Sequence, residues 1–248
     1  MNRLLPLLAL LALLATLGAK APQKTIALDA TADAYIVTNA AAPEDPEGLR
    51  DKNFGAQDFL KVWYAWKVQK DEQVIAVSLV KFDLAPLKDR EVISAHLQLF
   101  ATRTDLAQPV RLLDVQLVEG PWDEKEVTFN KRPPWGANAA ATAAVYGAGL
   151  WYSWDVTSSV VQKAKEGTVS YALGLRTLEE KKEEQVVFSS RETGRNGPRL
   201  IVTYSAPPSS IPWYIWLIGI AVAAALAFVV GWWLARRQRG AAGSPETM

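Results

Sequence analysis

The chain has 248 residues, half of them apolar, which is enough for one sizeable domain with a core of its own. It contains no cysteine and a single histidine, His96; this excludes disulfides, thiolate zinc sites, a cysteine nucleophile, an acylated lipoprotein cysteine and any zinc site needing two histidines. The net charge is +1, but Arg3, Arg236, Arg237, Arg239 and Glu246 lie in the terminal segments; residues 20–212 keep 23 basic against 25 acidic side chains, with no electrostatic footprint for nucleic acid.

The first segment, MNRLLPLLALLALLATLGAKA, places one Arg before a short Leu/Ala run and small residues at Gly18–Ala21. This is the pattern of a secretory signal peptide, expected over residues 1–20; the apolar run is short for a membrane span. From residue 21 to 205 the dominant period is two. FLKVWYAW puts Leu60, Val62 and Tyr64 on one face and Lys61 and Trp63 on the other. EVISAHLQLFAT groups Ile93, Ala95, Leu97 and Leu99, and PVRLLDVQLVE, TVSYALGLRTL, QVVFSSRE and RLIVTY alternate in the same way. Turn chemistry such as RNGP and LAPLKDRE separates these segments. Only DVTSSVVQKAKEG reads as a helix, with Thr157 or Ser158 as its cap and Gly167 at its end. Many short strands at this spacing predict an all-β antiparallel β-sandwich. The stretches 41–52, 66–73 and 179–185 are charged and read as solvated loops and hairpin tips.

Residues 206–212 form a Pro/Ser linker, semi-rigid and about 3.1 Å per residue when extended. Residues 213–235 then carry no charge over 23 positions, about 35 Å of helix, against a hydrocarbon core of roughly 30 Å. Trp213, Tyr214 and Trp216 mark one interface, and Trp232 and Trp233 the other. The basic tail 236–248 begins RRQR and is expected to stay in the cytoplasm. The domain then faces outside or into the periplasm, on a single-pass anchor. Gly219, Ala223, Ala227 and Gly231 recur every four residues and offer a close-packing seam for a homo-oligomer.

The landmarks ADAYI (32–36), NFG (53–55), LKV (60–62), LVKFDL (79–84), VISAHLQL (92–99), WDEKEVTFNKRP (122–133), WYSWDVT (151–157) and FSSRE…GPRLIVTY (188–204) follow one another in order. This series resembles the DNRLRE domain, also described as carbohydrate-binding module family 96, over about 180 residues. The resemblance implies a β-sandwich of jelly-roll type, found in secreted and surface proteins, that binds glycan and is not by itself catalytic.

Arg191 and Glu192 lie on the SRE landmark. Arg191 can serve sugar hydroxyls or uronic carboxylates as a bidentate fork, or form an ion pair that fixes the final strand crossing. Asp33 and Asp155 lie on ADAY and WDVT. Sugar-binding jelly rolls often hold a structural calcium, and both aspartates can contribute oxygens to one or bond turn backbone instead. Sugar platforms are exposed aromatic rings. Trp63, on the polar parity beside Lys61, Trp66 at the hairpin and Trp135 after RPP are the candidates; Trp122 and Trp154 read as core. Glycosidase chemistry needs two carboxylates roughly 5–10 Å apart. Asp123/Glu126 or Glu119/Glu124 can supply a pair, although Trp122–Glu124 reads as a structural corner. His96 reads as an outward strand residue, and no G-x-S-x-G elbow accompanies any serine.

The expected function is a membrane-anchored extracytoplasmic module that binds polysaccharide or cell-surface glycan without cleaving it. The alternatives are an adhesive surface protein that meets a protein partner or itself, and a polysaccharide-cleaving enzyme.

Overall fold

The structure is a computed structural model that describes residues 22–39, 48–67, 72–106, 108–176, 182–205 and 213–241. The segments expected to be a signal peptide and a linker, the end of the tail, most of the 41–52 loop and the tips near 70 and 180 lie outside the described residues. The chain divides into two compact units, residues 22–206 and the two terminal segments taken together.

Residues 22–206 form an all-β domain, as the alternation predicts. Its strands are β1 (Gln23–Asp29), β2 (Ala32–Asn39), β3 (Phe59–Lys67), β4 (Glu72–Asp83), β5 (Glu91–Asp105), β6 (Arg111–Val118), β7 (Trp135–Val145), β8 (Leu150–Asp155), β9 (Thr168–Leu175), β10 (Glu184–Ser189) and β11 (Arg199–Ser205). They pair antiparallel in the order β1-β11-β5-β10-β3-β4-β9-β6-β7, with β2 on the other edge of β4 and β8 on the other edge of β5. The two longest strands make the sheet curl, because each changes partner part-way along. β4 pairs with β3 as far as Ala76 and with β9 from Ser78. β5 pairs with β11 as far as Gln98 and with β10 from Ala101, where a bulge shifts the register. The curled sheet resembles a half-barrel and its two parts enclose one core.

That core takes the inward parity of nearly every strand: Leu60 and Val62, Val80 and Phe82, Leu97 and Leu99, Leu113 and Val115, Tyr171 and Leu173, Val186 and Phe188, Leu200 and Val202. Each fully buried side chain of this size stabilises the fold by about 1.5–3 kcal/mol. Trp154 is its largest member and donates Nε1–H to the Leu113 carbonyl at 3.1 Å. Two satellite clusters lie outside it. One joins Ala34, Ile36 and Leu79 to Trp122 and Val127; the other joins Tyr35, Val37 and Val74 to Phe54 under the 48–58 loop.

Three local features differ from the sequence reading. The helix α1 (Thr157–Lys163) has Val156 at its N-cap position, so neither Thr157 nor Ser158 caps it. Asp155 Oδ1 does that work by accepting from Thr157 N at 3.0 Å, while the Thr157 hydroxyl accepts from Ala95 N at 2.9 Å. Ala139–Ala144, which has no β-branched residue except Thr142 and is not marked as a strand by its alternation, is one, because β6 supplies its ladder partners. Trp135 therefore begins a strand. The apolar helix α2 (Trp213–Ala241) also runs six residues beyond the predicted span, through the arginines; its most apolar stretch is Gly219–Arg236.

One polar pair sits inside the core layer. Arg111 and Glu184 open β6 and β10, strands that are not neighbours in the sheet, and both side chains point inward. Nε of Arg111 meets Oε2 of Glu184 at 2.7 Å, with the carboxylate fully buried. Replacing one partner leaves the other charge buried and unneutralised. Glu184→Ala is expected to cost about 3–5 kcal/mol in denaturant unfolding of the 22–206 domain, and pairing it with Arg111→Met to recover most of that loss.

Candidate functional site

Five of the sequence landmarks meet at one point. Strand β10 ends at Ser189, and a single 3-10 turn, Arg191–Thr193, leads toward β11. Ser190 caps the turn, its hydroxyl accepting from Glu192 N at 3.3 Å. The same hydroxyl lies 2.9 Å from the Gln57 carbonyl and 2.8 Å from Glu192 Oε2, which share its one proton. The turn thereby aims Arg191 at the corner that follows β6. Its guanidinium binds Glu124 in bidentate fashion, Nε to Oε1 and Nη2 to Oε2, both at 2.8 Å. Glu192, the adjacent acid, is a secondary partner at 3.2 Å from Nε.

Glu124 Oε1 also accepts from Asp33 N at 2.8 Å, and Asp33 Oδ2 accepts from Arg191 N at 2.8 Å. Asn53 Nδ2 holds the carbonyls of Glu124 and Val127, each at 2.8 Å. Gly55 is needed here for space: a Cβ on it would lie 2.1 Å from the Glu124 carbonyl oxygen. Gly197 runs close to Arg191, though less so, with an added Cβ 3.0 Å from its Cα. Lys81, from LVKFDL, donates to the Trp122 carbonyl and lies 4.4 Å from the centre of the Trp122 ring. The knot thus joins β2, the NFG loop, the WDE corner and the SRE turn. Among the two readings of Arg191, the one that this geometry displays is the ion pair closing the final strand crossing, with Glu124 as the main partner.

Asp33, Glu124 and Glu192 are the one group of acids among the described residues whose carboxylate oxygens lie within 4.8 Å of one another. Asp155 is not part of it; its Oδ1 is committed to the start of α1, and its hydrogen bonds with Thr157 hold its pKa below the ordinary value. The space between Glu124 and Glu192 is taken by the Arg191 guanidinium. Burial pushes the Asp33 carboxyl up to about 7, reinforced by Glu192 and Glu124 and opposed by the Arg191 N–H.

One member of each proposed glycosidase pair is engaged by its own corner. Asp123 Oδ1 accepts from Lys125 N at 2.8 Å and its carbonyl from Val127 N at 2.8 Å, a closed turn, and Glu124 belongs to Arg191.

The three tryptophan candidates sit in three different settings. Trp63 and Trp66 stand three apart on β3 and so project to opposite faces. Trp63 packs beside Phe59 and Phe54 in a satellite cluster, with Lys61 Nζ 3.9 Å from its ring centre and its Nε1–H donated to Glu183 at 3.0 Å. Trp66 pairs with Gln73 near the hairpin tip. Trp135 packs against the other satellite cluster, 5.4 Å from the Arg132 guanidinium.

A fourth ring, missed in the sequence, lies on an outward sheet face. Trp151 on β8 is half-buried, tilted against Phe100 at 5.5 Å, with the Arg199 guanidinium 3.9 Å from its centre. Alternation in LWYSWD was the available signal: Tyr152 and Trp154 point inward, so Trp151 and Ser153 point out.

A family model, carbohydrate-binding module family 96, matches residues 24–204, nearly the whole β domain. This chain belongs to that family. No curated protein matches the sequence. Five of the eight landmarks that carry the family resemblance build the Arg191–Glu124 knot, so part of that resemblance is written in the domain's architecture.

Two outcomes follow. In the folded domain Asp33 keeps its proton to about pH 7, whereas an unfolded aspartate releases it near 3.8. Stability therefore falls as pH rises from about 4 to 7, by roughly 4 kcal/mol at most, and is flat above. Asp33→Asn keeps an acceptor for Arg191 N without the charge, so the melting temperature of this variant relative to the unaltered domain should climb across that window. A constant difference would show that Asp33 ionises normally. Gly55→Ala, by contrast, should lose about 1–3 kcal/mol at every pH, because the Glu124 carbonyl must move.

Proposed function

We propose that this chain is an exported, single-pass membrane protein whose β domain binds a polysaccharide and does not cleave it. The observation that carries the reading is the family match, which spans the β domain almost end to end. Two features support the finer points. The acids that converge among the described residues are held by Arg191, and a hydrolytic pair would need one carboxyl free to protonate a leaving group and another free to attack or activate water. The helix α2 is apolar over Gly219–Arg236, with Trp232 and Trp233 at its arginine-bearing end, where an interfacial belt is expected.

In this reading the knot uses Arg191 in place of a structural calcium. The guanidinium already bridges the two carboxylates that a dication would need, so cation binding would have to displace two hydrogen bonds of 2.8 Å.

The test has three parts. The full chain should stay with membranes through alkaline carbonate extraction, and a chain ending at Ser205 should not. That shorter chain should be retarded by at least one polysaccharide in affinity electrophoresis and release no reducing ends from it. Calcium or a chelator should leave its melting temperature within about 1 °C, less than the 2–4 °C that each kcal/mol is worth at this size. Release of reducing ends would replace the reading with an enzyme, and a calcium-dependent rise would put the cation back at Asp33.

A further inference from the structure

We propose that the outward face of β1, β11, β5 and β8 is the glycan-binding surface, and that Trp151 with Arg199 is its anchoring subsite, shaped for a vicinal diol of a neutral hexose or pentose polymer. This rests on the glycan reading above and adds to it a place and a ligand class.

The register lines up the outward side chains in rows across the strands. Asp29, Arg199, Gln98 and Ser153 stand opposite one another, and Ala27, Ile201, His96 and Asp155 form the next row. Thr25, Thr203 and Ser94 form a third, and Phe100 with Trp151 flanks the first on its other side. Each row of four crosses about 14 Å at the usual strand spacing, and rows lie about 7 Å apart along the strands. The surface therefore alternates rings, amide, hydroxyls and a few charges, and is wide enough for several sugar units.

Arg199 is the feature that the fold does not explain. Its guanidinium is laid on the Trp151 ring at 3.9 Å and fixed there by one hydrogen bond, Nε to Gln98 Oε1 at 3.0 Å. No protein group among the described residues accepts from its two terminal nitrogens, although Asp29 is its cross-strand neighbour. Arg191 spends both nitrogens of its fork on one carboxylate. Arg199 rests on a ring and spends only the nitrogen that fixes it. Two parallel donors in a plane suit two oxygens on adjacent sugar carbons, and the Trp151–Phe100 edge beside them gives the apolar C–H face of the same ring a surface to rest on. Gln98 Nε2 adds a further donor, and Asp29 and the second oxygen of Asp155 add acceptors for hydroxyl protons.

The charge balance selects the polymer. Arg199 is the one fixed positive charge in these rows, facing Asp29 and Asp155, with His96 between Ile201 and Asp155. A polyuronate, with a carboxylate on each unit, would meet two aspartates for one arginine; a neutral polymer meets no such penalty.

The experiment uses the full chain in a detergent without a sugar head group. The probes are xylan, mixed-linkage β-glucan, galactomannan and polygalacturonate, read by calorimetry. At least one neutral polymer should bind and polygalacturonate should bind more weakly. Trp151→Ala and Arg199→Lys should each weaken binding of that polymer by about tenfold or more. Arg199→Lys keeps the charge and its contact with the ring but loses the fork, so it decides the matter if Trp151→Ala fails to fold. Unchanged affinity in folded Arg199→Lys, or a loss confined to Trp63→Ala, would overturn this site and leave the glycan reading standing. A preference for polygalacturonate would overturn the neutral class. No binding of any probe by the folded, unaltered chain would overturn the site and the reading together.

Discussion

The bidentate pair between Arg191 and Glu124 is the constraint on which one end of this domain depends. The strands provide area, but area alone does not say how the chain should leave β10, cross past β5 and re-enter beside β1. Glu124 settles it by accepting from two segments at once, the guanidinium of Arg191 and the N–H of Asp33. Asn53 fixes Glu124 from behind through its carbonyl, and Gly55 leaves the room that this approach requires. Asp33 is buried and Glu124 and Asn53 are partly sheltered from water, so an acceptor left unmatched among them would cost more than one at the surface. Asp33 shows the limit of the arrangement. It is buried, has one main-chain donor and two acidic neighbours, and so holds its proton near neutrality.

Much of this fold was legible as alternation. Leu60, Val62 and Tyr64, and Ala95, Leu97 and Leu99, are fully or almost fully buried, as period two required, whereas Ile93 at the open end of β5 is 40% exposed. The strand through Ala139–Ala144 was not legible, because alanine has little β preference and the ladder with β6 decides the matter from a distance. The Arg191 partner was hidden for a related reason: Glu192 is adjacent in sequence, but a 3-10 turn points the guanidinium at a residue 67 positions away. The resemblance gave the order of the landmarks; only the folded chain shows that they converge.

The tryptophans show the same division. Parity placed Trp63 on an outward face, yet it packs among Phe59 and Phe54 and spends its N–H on Glu183. Parity would have placed Trp151 outward equally well, but the strand was read for its core ring, Trp154. What distinguishes the two outward rings is their company. Trp63 lies in a satellite apolar cluster under a loop, and Trp151 lies beside a row of amide and hydroxyl groups on a plain sheet face.

Satisfaction of hydrogen bonds therefore separates structural from binding residues in this domain better than residue type does. Arg191, Glu124, Asp123 and Asn53 look like site chemistry in the sequence, and in the folded chain their donors and acceptors are taken up by turns and crossings. Arg199 looks like an ordinary strand residue, yet it is placed with care and left with donors to spare. A fold that had no use for those donors would gain by pairing them with Asp29 across the strand; holding them on Trp151 by way of Gln98 instead keeps a rigid fork facing water, and rigidity before binding is what lets a shallow, open surface hold a sugar at low entropic cost.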